Sequence, residues 1–369
     1  MLQKQTKVIP AAHPRTSDWS TASGTEQLEL VYNEYFDDSV KSKVPAKDRL
    51  NLYFFHGTGH GKEVWEVLIE LFFQKLGASL GAVVAMDCVN HGDSYGRNKD
   101  KLGWAFPWID TSHDITHLIR TVNAPGTNII IGHSMGAAQA LYAAFLDPAI
   151  IDSVVAFDPV LASTDAPIYD PKVRDGFQDK MKKVGAILSD EFPNEAAYDK
   201  FLSTSPVFKL FDKRVIAKIR DSYVYRDGEK VKYKTPVHAQ LDCYYNGQYI
   251  FRDGTKILEQ LDCEVLYVFG TKSNFFGVQD VDETRKRFRF CTPVDIEGGG
   301  HHVVFDWPEK TLDSGLLAFV QKRYQRSLER EREMDERAKL SPEQLQDYVD
   351  KKYKKIYSEF PGQPLYAKL

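Results

Sequence analysis

A serine stands at the centre of the pentapeptide Gly132-His133-Ser134-Met135-Gly136. An apolar run typical of a β-strand, residues 128–131, leads into it, and a helical pattern over residues 137–145 follows. A serine on such a tight strand-to-helix turn holds its hydroxyl exposed above the strand, and the flanking glycines let the backbone pass without a Cβ clash. The order of strand, turn and helix therefore predicts that Ser134 is a nucleophile rather than part of an ordinary Gly-rich turn.

A serine hydroxyl becomes a nucleophile only when a base takes its proton, and that base usually comes last in the chain. The segment Gly298-Gly299-Gly300-His301-His302 follows a predicted strand that ends at residue 296. Two adjacent histidines cannot both face the same serine. His301 comes directly after the glycines and is the predicted base, with His302 as the alternative.

The acid that would orient the base is absent from its commonest position. After the predicted strand 265–269, residues 270–274 contain no carboxylate. Asp158 follows the strand 154–157, next to the strand that carries the serine, and a triad is defined by geometry rather than by sequence position. Asp158 is therefore the predicted acid. Asp280 and Asp282 are the alternatives, and Asp158 could instead be a structural cap of the following loop.

The oxyanion of an acyl-transfer reaction needs preorganised N–H donors. Met135, the residue after the nucleophile, offers one backbone N–H, and the second should come from the loop after an earlier strand. The turn His56-Gly57-Thr58-Gly59 leaves such a strand, and Thr58 is the predicted second donor. His56 is expected to brace this loop, and His133 to pack beneath the serine turn.

A second turn, residues 87–94 with the sequence Asp-Cys-Val-Asn-His-Gly-Asp-Ser, follows the strand 83–86. His91 and Asp93 have side chains suited to catalysis. We nevertheless interpret the turn as scaffolding, since a turn of this kind is normally structural.

Strand-like and helical patterns alternate through most of the chain, which predicts an α/β fold with a mostly parallel central sheet flanked by helices. The predicted strands are 27–32, 50–55, 83–86, 128–131, 154–157, 265–269 and 289–296, and the predicted helices of the core include 63–76 and 111–122. We divide the chain into a first core part, residues 1–160, an insertion, 161–255, a second core part, 256–325, and a charged helical tail, 326–369.

The insertion is predicted to be mainly helical, with helices at 194–202 and 208–219 and a hairpin around Asp227-Gly228. An insertion at this point in such a sheet lies above the carboxyl ends of the strands, where ligands bind. We therefore expect it to form a cap, or lid, over the site. A surface insertion without a role is the alternative.

Composition excludes several classes of function. A hydrophobic content of 43%, a charged content of 27% and a formal net charge of -4 are ordinary for a soluble protein and argue against nucleic acid or an acidic membrane surface as a partner. No apolar run is long enough to span a membrane. The four cysteines lack metal-type spacing, so we expect free thiols, no metal and no cofactor.

The last three residues, Ala367-Lys368-Leu369, are a close variant of the Ser-Lys-Leu peroxisomal address. They predict a peroxisomal import receptor as a partner. Residues 341–344 form a capping box that starts a helix with an apolar stripe, which we expect to dock on the body of the protein.

Together these motifs resemble the α/β-hydrolase superfamily over about residues 28–323, and more closely the fungal peroxisomal lipase family. The resemblance rests on four motifs, at 56–59, 89–94, 131–136 and 298–301, and on Ser273-Asn274 and the Lys-Leu ending. One feature departs from the family's pattern: the charged tail 329–360 is longer than expected. Asn90 replaces the first glycine of a turn that is common in the wider superfamily.

The resemblance implies a hydrolase of the peroxisomal matrix with lipase activity on acyl esters. We therefore predict a serine hydrolase that cleaves carboxylic esters through Ser134, His301 and Asp158, with an acyl-enzyme intermediate. The alternatives are an acyl-CoA thioesterase, a fungal toxin-pathway hydrolase, or a non-catalytic pseudo-hydrolase that binds lipid.

Overall fold

A computed structural model describes residues 2–38, 44–161, 171–247, 254, 256–273 and 281–359. The chain divides into two compact units, residues 1–320 and 321–369. Each is described by itself below.

The larger unit contains an eight-stranded sheet in the order β1-β2-β4-β3-β5-β6-β10-β11. Its strands are β1 Gln3–Pro10, β2 Glu29–Phe36, β3 Leu50–Phe55, β4 Leu80–Met86, β5 Thr127–His133, β6 Ser153–Phe157, β10 Glu264–Gly270 and β11 Cys291–Ile296. The pairings from β4 through β3, β5, β6 and β10 to β11 are all parallel, whereas β1 and β2 pair antiparallel with their neighbours. The predicted α/β class with a mostly parallel sheet is confirmed.

Helices connect the strands and cover the sheet. They are α1 Glu66–Leu76, α2 Gly92–Asn98, α3 Trp108–Val122, α4 Met135–Leu146, α9 Val281–Lys286, α10 Val303–Asp306 and α11 Pro308–Thr311. The central strands are buried on both faces, as apolar runs such as Ile129, Ile130 and Ile131 require. Because the strands are parallel, the residues that follow β3, β5, β6, β10 and β11 meet at one edge of the sheet.

The predicted strand 50–55 has the observed bounds. The other predicted strands differ from the observed ones by up to four residues at one or both ends. The strand β1 was not predicted. It lies at the edge of the sheet, and most of its side chains are exposed, so its sequence lacks the apolar alternation that marks a half-buried strand.

The segment between β6 and β10 contains α5 Pro171–Ile187, β7 Glu191–Phe192, α6 Glu195–Thr204, α7 Lys213–Ser222, β8 Val224–Asp227, β9 Lys230–Tyr233 and α8 Val237–Asn246. The predicted hairpin is present, with Asp227 opposite Lys230 and Gly228 at a positive φ. The predicted first residue of the helix over 208–219 was wrong. Asp212 accepts the backbone N–H of Arg214 and caps the helix, so α7 begins at Lys213.

The last helices of the described residues are α12 Leu317–Arg337 and α13 Pro342–Glu359. The predicted capping box is confirmed: the Ser341 N–H donates to Gln344 Oε1 at 2.9 Å, and the Gln344 N–H donates to Ser341 Oγ at 3.2 Å. Docking of the last helix on the body stays a prediction, and residues 367–369 lie outside the described residues. None of the helices that the structure describes has both the length and the apolar character needed to cross a membrane.

Candidate active site

Ser134 occupies the turn between β5 and α4 with φ 55° and ψ -117°. A non-glycine residue with positive φ is strained by about 1–3 kcal/mol, and such strain persists where the surrounding structure enforces it. Here the Ser134 N–H donates to the Phe157 carbonyl at 2.9 Å, and its carbonyl accepts the N–H groups of Val160 and Ala138. The bonds hold the serine above the sheet edge.

The glycines beside Ser134 allow this turn because other backbone atoms pass where their side chains would lie. A Cβ on Gly132 would be 2.4 Å from the carbonyl oxygen of Gly136. A Cβ on Gly136 would be 2.4 Å from the carbonyl oxygen of Phe55. The close approach explains the Gly-x-Ser-x-Gly pattern in physical terms.

His301 lies in the loop after β11, and its Nε2 is 3.0 Å from Ser134 Oγ. The loop is tied to the end of β10, because the Lys272 N–H donates to the Gly299 carbonyl and the Gly298 N–H donates to Thr271 Oγ1. The structure therefore brings His301, rather than His302, to the serine. The distance suits transfer of the serine proton to an imidazole nitrogen.

Asp158 follows β6, and its Oδ2 lies 3.4 Å from His301 Nδ1. Both side chains are more than nine-tenths buried. Asp158 has φ 43° and donates its N–H to the Val268 carbonyl at 2.8 Å, so a second non-glycine residue of this site is held at positive φ. The structure thus brings together the predicted nucleophile, base and acid.

Of the two alternative acids, the structure describes Asp282 and not Asp280. Asp282 lies at the start of α9 with its side chain 83% exposed, 3.9 Å from Arg285. Asp280 lies outside the described residues. The end of β10, where an acid is commonest, instead braces the loop that carries His301.

The loop 56–59 passes directly over the serine. A Cβ on Gly57 would lie 3.0 Å from Ser134 Cβ, so only glycine lets the loop approach this closely. Thr58 lines the same cleft as Ser134, and its Oγ1 donates to Met135 Sδ at 3.4 Å. Met135 is the first residue of α4, where a backbone N–H has no acceptor within the helix. The two predicted oxyanion donors, Thr58 and Met135, are therefore adjacent to the nucleophile.

Two buried histidines hold this loop through defined tautomers. His91 Nε2 accepts the Gly59 N–H at 3.0 Å, which leaves Nδ1 to donate to Asn90 Oδ1. His56 Nε2 accepts the Cys88 N–H at 3.1 Å, which leaves Nδ1 to donate to the Gly57 carbonyl. The turn 87–94 therefore supports the loop 56–59, which we call the oxyanion loop after its predicted role.

Acid should weaken the fold through these histidines. Burial lowers the pKa of both His56 and His91, so below about pH 6.5 the unfolded chain binds more protons and the free energy of unfolding falls as pH falls. In His91→Gln, whose amide oxygen can accept the same bond without titrating, we expect this slope to be smaller by up to about 1.4 kcal/mol per pH unit. Urea unfolding at pH 7, 6 and 5 measures it. An unchanged slope, equal to that of the control His113→Gln on α3, would contradict the assignment.

Lys62, which sequence analysis did not identify, forms a buried ion cluster at the end of the oxyanion loop. Its Nζ lies 2.7 Å from Asp87 Oδ2, 2.6 Å from Asp93 Oδ2 and 3.1 Å from Glu63 Oε1. Burial alone would lower the pKa of Lys62, but the three carboxylates outweigh it and raise the pKa above its ordinary value. One feature of the sequence could have indicated Lys62: the turn 87–94 holds two acids, Asp87 and Asp93, and a buried carboxylate needs a cation beside it.

The insertion also contacts the residues just after the oxyanion loop and the turn 87–94. The Tyr223 hydroxyl, between α7 and β8, accepts the Gly61 N–H at 3.0 Å. Lys234 Nζ lies 2.6 Å from Asp93 Oδ1, and Thr235 Oγ1 accepts the Gly92 N–H at 2.9 Å. No spacing in the sequence indicated these residues, because each acts across more than 140 positions of chain.

Removing the Tyr223 hydroxyl should slow catalysis more than it weakens binding. Tyr223→Phe leaves the Gly61 N–H buried without an acceptor, and a small shift of a positioning loop can cost about 10-fold or more in rate. We expect kcat to fall about 10-fold with KM within about twofold, measured with one ester substrate. The control Tyr225→Phe alters an exposed tyrosine of the same hairpin. A kcat equal to that of the control would show that the bond does not position the loop.

A cleft of about 570 Å³, its open mouth included, surrounds the serine. The core contributes the candidate catalytic residues and the oxyanion loop. The insertion contributes Leu188, Ser189, Phe201, Val207, Phe208, Tyr233, Gln240 and Tyr244. The wall facing the nucleophile is therefore mostly apolar and aromatic.

Comparison with known proteins gives a family match over most of the chain. The sequence profile described as "Alpha/beta hydrolase family" matches residues 52–313. The chain is 27% identical over 333 residues to the peroxisomal membrane protein LPX1 of Saccharomyces cerevisiae, covering 84% of this chain and 85% of the relative. The crystal structure of that yeast protein, described as a peroxisomal alpha-beta-hydrolase, matches with a TM-score of 0.73 at 25% identity, covering 98% of this chain and 99% of the yeast chain.

Two further relatives carry enzyme names. A type I acyl-CoA thioesterase of Penicillium brevicompactum is 27% identical over 172 residues, which is 43% of this chain and 39% of the relative. The sn-1-specific diacylglycerol lipase ABHD11 of Xenopus laevis is 24% identical over 317 residues, covering 83% of this chain and 88% of the relative. Lipase and thioesterase are thus both represented among the relatives.

Proposed function

Because the chain belongs to the alpha/beta hydrolase family, we propose that it is a serine hydrolase that cleaves carboxylic esters of acyl or lipid substrates. Ser134 attacks the carbonyl carbon, and His301 takes the serine proton and delivers it to the leaving group. Asp158 orients His301 and stabilises its protonated form, while the N–H groups of Thr58 and Met135 stabilise the oxyanion. Water then takes the place of the alcohol. His301 accepts a proton from the water as it attacks the acyl-enzyme, and returns that proton to Ser134 as the acid is released.

The observation that carries this proposal is the 3.0 Å contact between His301 Nε2 and Ser134 Oγ. A non-catalytic protein has no need of this contact, nor of a nucleophile and an acid that are both held at positive φ. The proposal is therefore favoured over a pseudo-hydrolase that only binds lipid.

Pre-steady-state kinetics test the proposal directly. With p-nitrophenyl acetate we expect a burst of p-nitrophenol close to one molecule per protein chain, because acylation releases the alcohol before the acyl-enzyme is hydrolysed. A series of p-nitrophenyl esters of increasing acyl length then shows which chain the cleft accepts. No burst and no turnover with any ester or acyl-CoA would refute the proposal.

A specific observation supports acyl-CoA thioesterase activity as the second candidate: 172 residues of this chain are 27% identical to a type I acyl-CoA thioesterase. The same triad serves esters and thioesters. The ratio of kcat/KM for an acyl-CoA and a p-nitrophenyl ester of the same acyl chain separates the two.

The insertion serves as the lid of this enzyme. Its support is the set of insertion residues that line the cleft and the contacts of Tyr223, Lys234 and Thr235 with the core. Because the cleft is walled by aromatic side chains, it favours an apolar acyl group.

The enzyme works in the peroxisome, in the matrix. Residues 367–369 resemble the Ser-Lys-Leu address that an import receptor reads, and this resemblance supports the location. The name of the yeast relative, a peroxisomal membrane protein, supports the peroxisome as the compartment and does not bear on the matrix.

A further inference from the structure

Four of the ten histidines pack together around Ser134. The ring centroids of His133 and His301 are 4.8 Å apart, those of His133 and His302 5.3 Å, and those of His301 and His302 5.0 Å. His60 lies 5.3 Å from His302 and 6.0 Å from His133. The proposed mechanism uses one of these four imidazoles.

The hydrogen bonding of His133 leaves a lone pair unused. Its Nε2 is 2.9 Å from the carbonyl oxygen of His301, which can only accept, so Nε2 carries the proton and Nδ1 is unprotonated. Among the described residues, His133 Nδ1 is a buried nitrogen with no hydrogen-bond partner. A Cβ on Gly57 would lie 2.9 Å from this nitrogen and 3.0 Å from Ser134 Cβ, so Nδ1 faces the region of the nucleophile.

Ring nitrogens of two further histidines lie nearby. His301 Nε2 accepts the serine proton and therefore presents its lone pair toward Ser134. One ring nitrogen from each of His133, His301 and His302 lies within 4.8 Å of those of the other two.

Neutral imidazoles are the ligands of Zn²⁺, Cu²⁺ and Ni²⁺, whereas Mg²⁺ and Ca²⁺ prefer oxygen. Two imidazoles that bind one tetrahedral zinc ion at about 2.0–2.1 Å place their donor nitrogens about 3.3 Å apart. The donor nitrogens of the three histidines lie within 4.8 Å of one another, so binding one ion requires the rings to move closer together.

We propose that His133, His301 and His302 form an inhibitory site for a divalent transition-metal ion, with Zn²⁺ as the test ion. The ion takes the lone pair of His301 Nε2 and so removes the acceptor of the serine proton. Binding needs only the three imidazoles, but its effect as an inhibitor rests on the proposed function. The two parts are therefore tested separately.

Binding is tested by calorimetric titration of Zn²⁺ into the Ser134→Ala protein, in which the serine does not compete for His301. Thiols are first blocked with N-ethylmaleimide, so that the four cysteines do not contribute. We expect one ion per chain and no heat with Mg²⁺. Adding His302→Asn should weaken the affinity at least about 10-fold, as loss of a ligand does, whereas adding the control His113→Asn on α3 should not change it.

Inhibition is tested by the rate of ester hydrolysis of the wild-type protein at increasing Zn²⁺, with reversal by a chelator. We expect His302→Asn, compared with its own uninhibited rate, to need at least about 10-fold more Zn²⁺. Should His302→Asn not fold, His133→Asn removes a different ligand and replaces it in both tests. The proposal is overturned if Ser134→Ala binds no stoichiometric zinc, or if the ligand variants bind it as tightly as the control. A protein that binds zinc in this way but hydrolyses no ester refutes the proposed function and leaves the metal site standing.

Discussion

Ser134→Ala should lower kcat for ester hydrolysis by about 10⁵- to 10⁶-fold, since the nucleophile, base and acid of a serine triad act as a unit. The residual rate comes from the oxyanion donors and substrate binding alone. Steady-state kinetics on one p-nitrophenyl ester measure the loss. The substitution removes one oxygen atom from a strained turn, so the fold should be retained, as circular dichroism can check.

A fluorophosphonate probe gives an independent readout of the same residue. We expect it to label the wild-type protein and the control Ser203→Ala, which alters an exposed serine of α6, but not Ser134→Ala. Labelling of Ser134→Ala would place the nucleophile elsewhere. Absence of labelling in the wild-type protein would argue against a serine hydrolase altogether.

Asp158→Asn should lower kcat by about 10⁴-fold, the second largest effect that we predict. The amide keeps the size of the carboxylate but lacks its charge, so it cannot stabilise the imidazolium of His301 as the serine proton is transferred. Because Ser134 and the substrate-binding wall are unchanged, KM should change much less than kcat. The measurement is the separation of kcat from KM at the pH of maximal wild-type activity.

The two alternative acids serve as matched controls. Asp282→Asn and Asp280→Asn make the same chemical change at positions that follow β10 in the sequence. We expect both to hydrolyse esters at wild-type rates. If either loses activity while Asp158→Asn keeps it, the acid follows β10, as in the commonest arrangement of this fold.

The parts of the site that sequence analysis predicted are those whose chemistry is local. The serine turn needs glycines at fixed positions because backbone atoms pass within 2.4 Å of where their side chains would lie, and this requirement is visible in five consecutive residues. The capping box at Ser341 is local in the same sense. The parallel sheet was predicted from the alternation of strand and helix patterns along the chain. Asp158 was a different case: its prediction depended on knowing which strands lie side by side in the sheet.

What sequence analysis missed depends on contacts between distant segments. Tyr223 and Lys62 are ordinary residues by type and spacing. Only the folded chain places Tyr223 against the Gly61 N–H, and Lys62 between the buried carboxylate of Asp87 and the half-buried one of Asp93. The edge strand β1 was missed for another reason. Its side chains are mostly exposed, and it is held by backbone hydrogen bonds to β2 that carry no signature in sequence.

The contacts of Tyr223, Lys234 and Thr235 with the core have a consequence for how this enzyme can change its specificity. An insertion that touched only substrate could be exchanged as a unit between relatives. Here an exchanged insertion would remove the acceptor of the Gly61 N–H and a cation beside Asp93, so turnover would fall even when the new cleft fits its substrate.

Directed evolution should therefore spare these three anchors. Variation confined to Leu188, Phe201, Val207 and Phe208 changes the walls of the cleft without disturbing the oxyanion loop. Natural relatives must keep the same contacts as their sequences diverge. We therefore expect them to acquire new substrates by single substitutions in the insertion more readily than by replacement of the whole insertion.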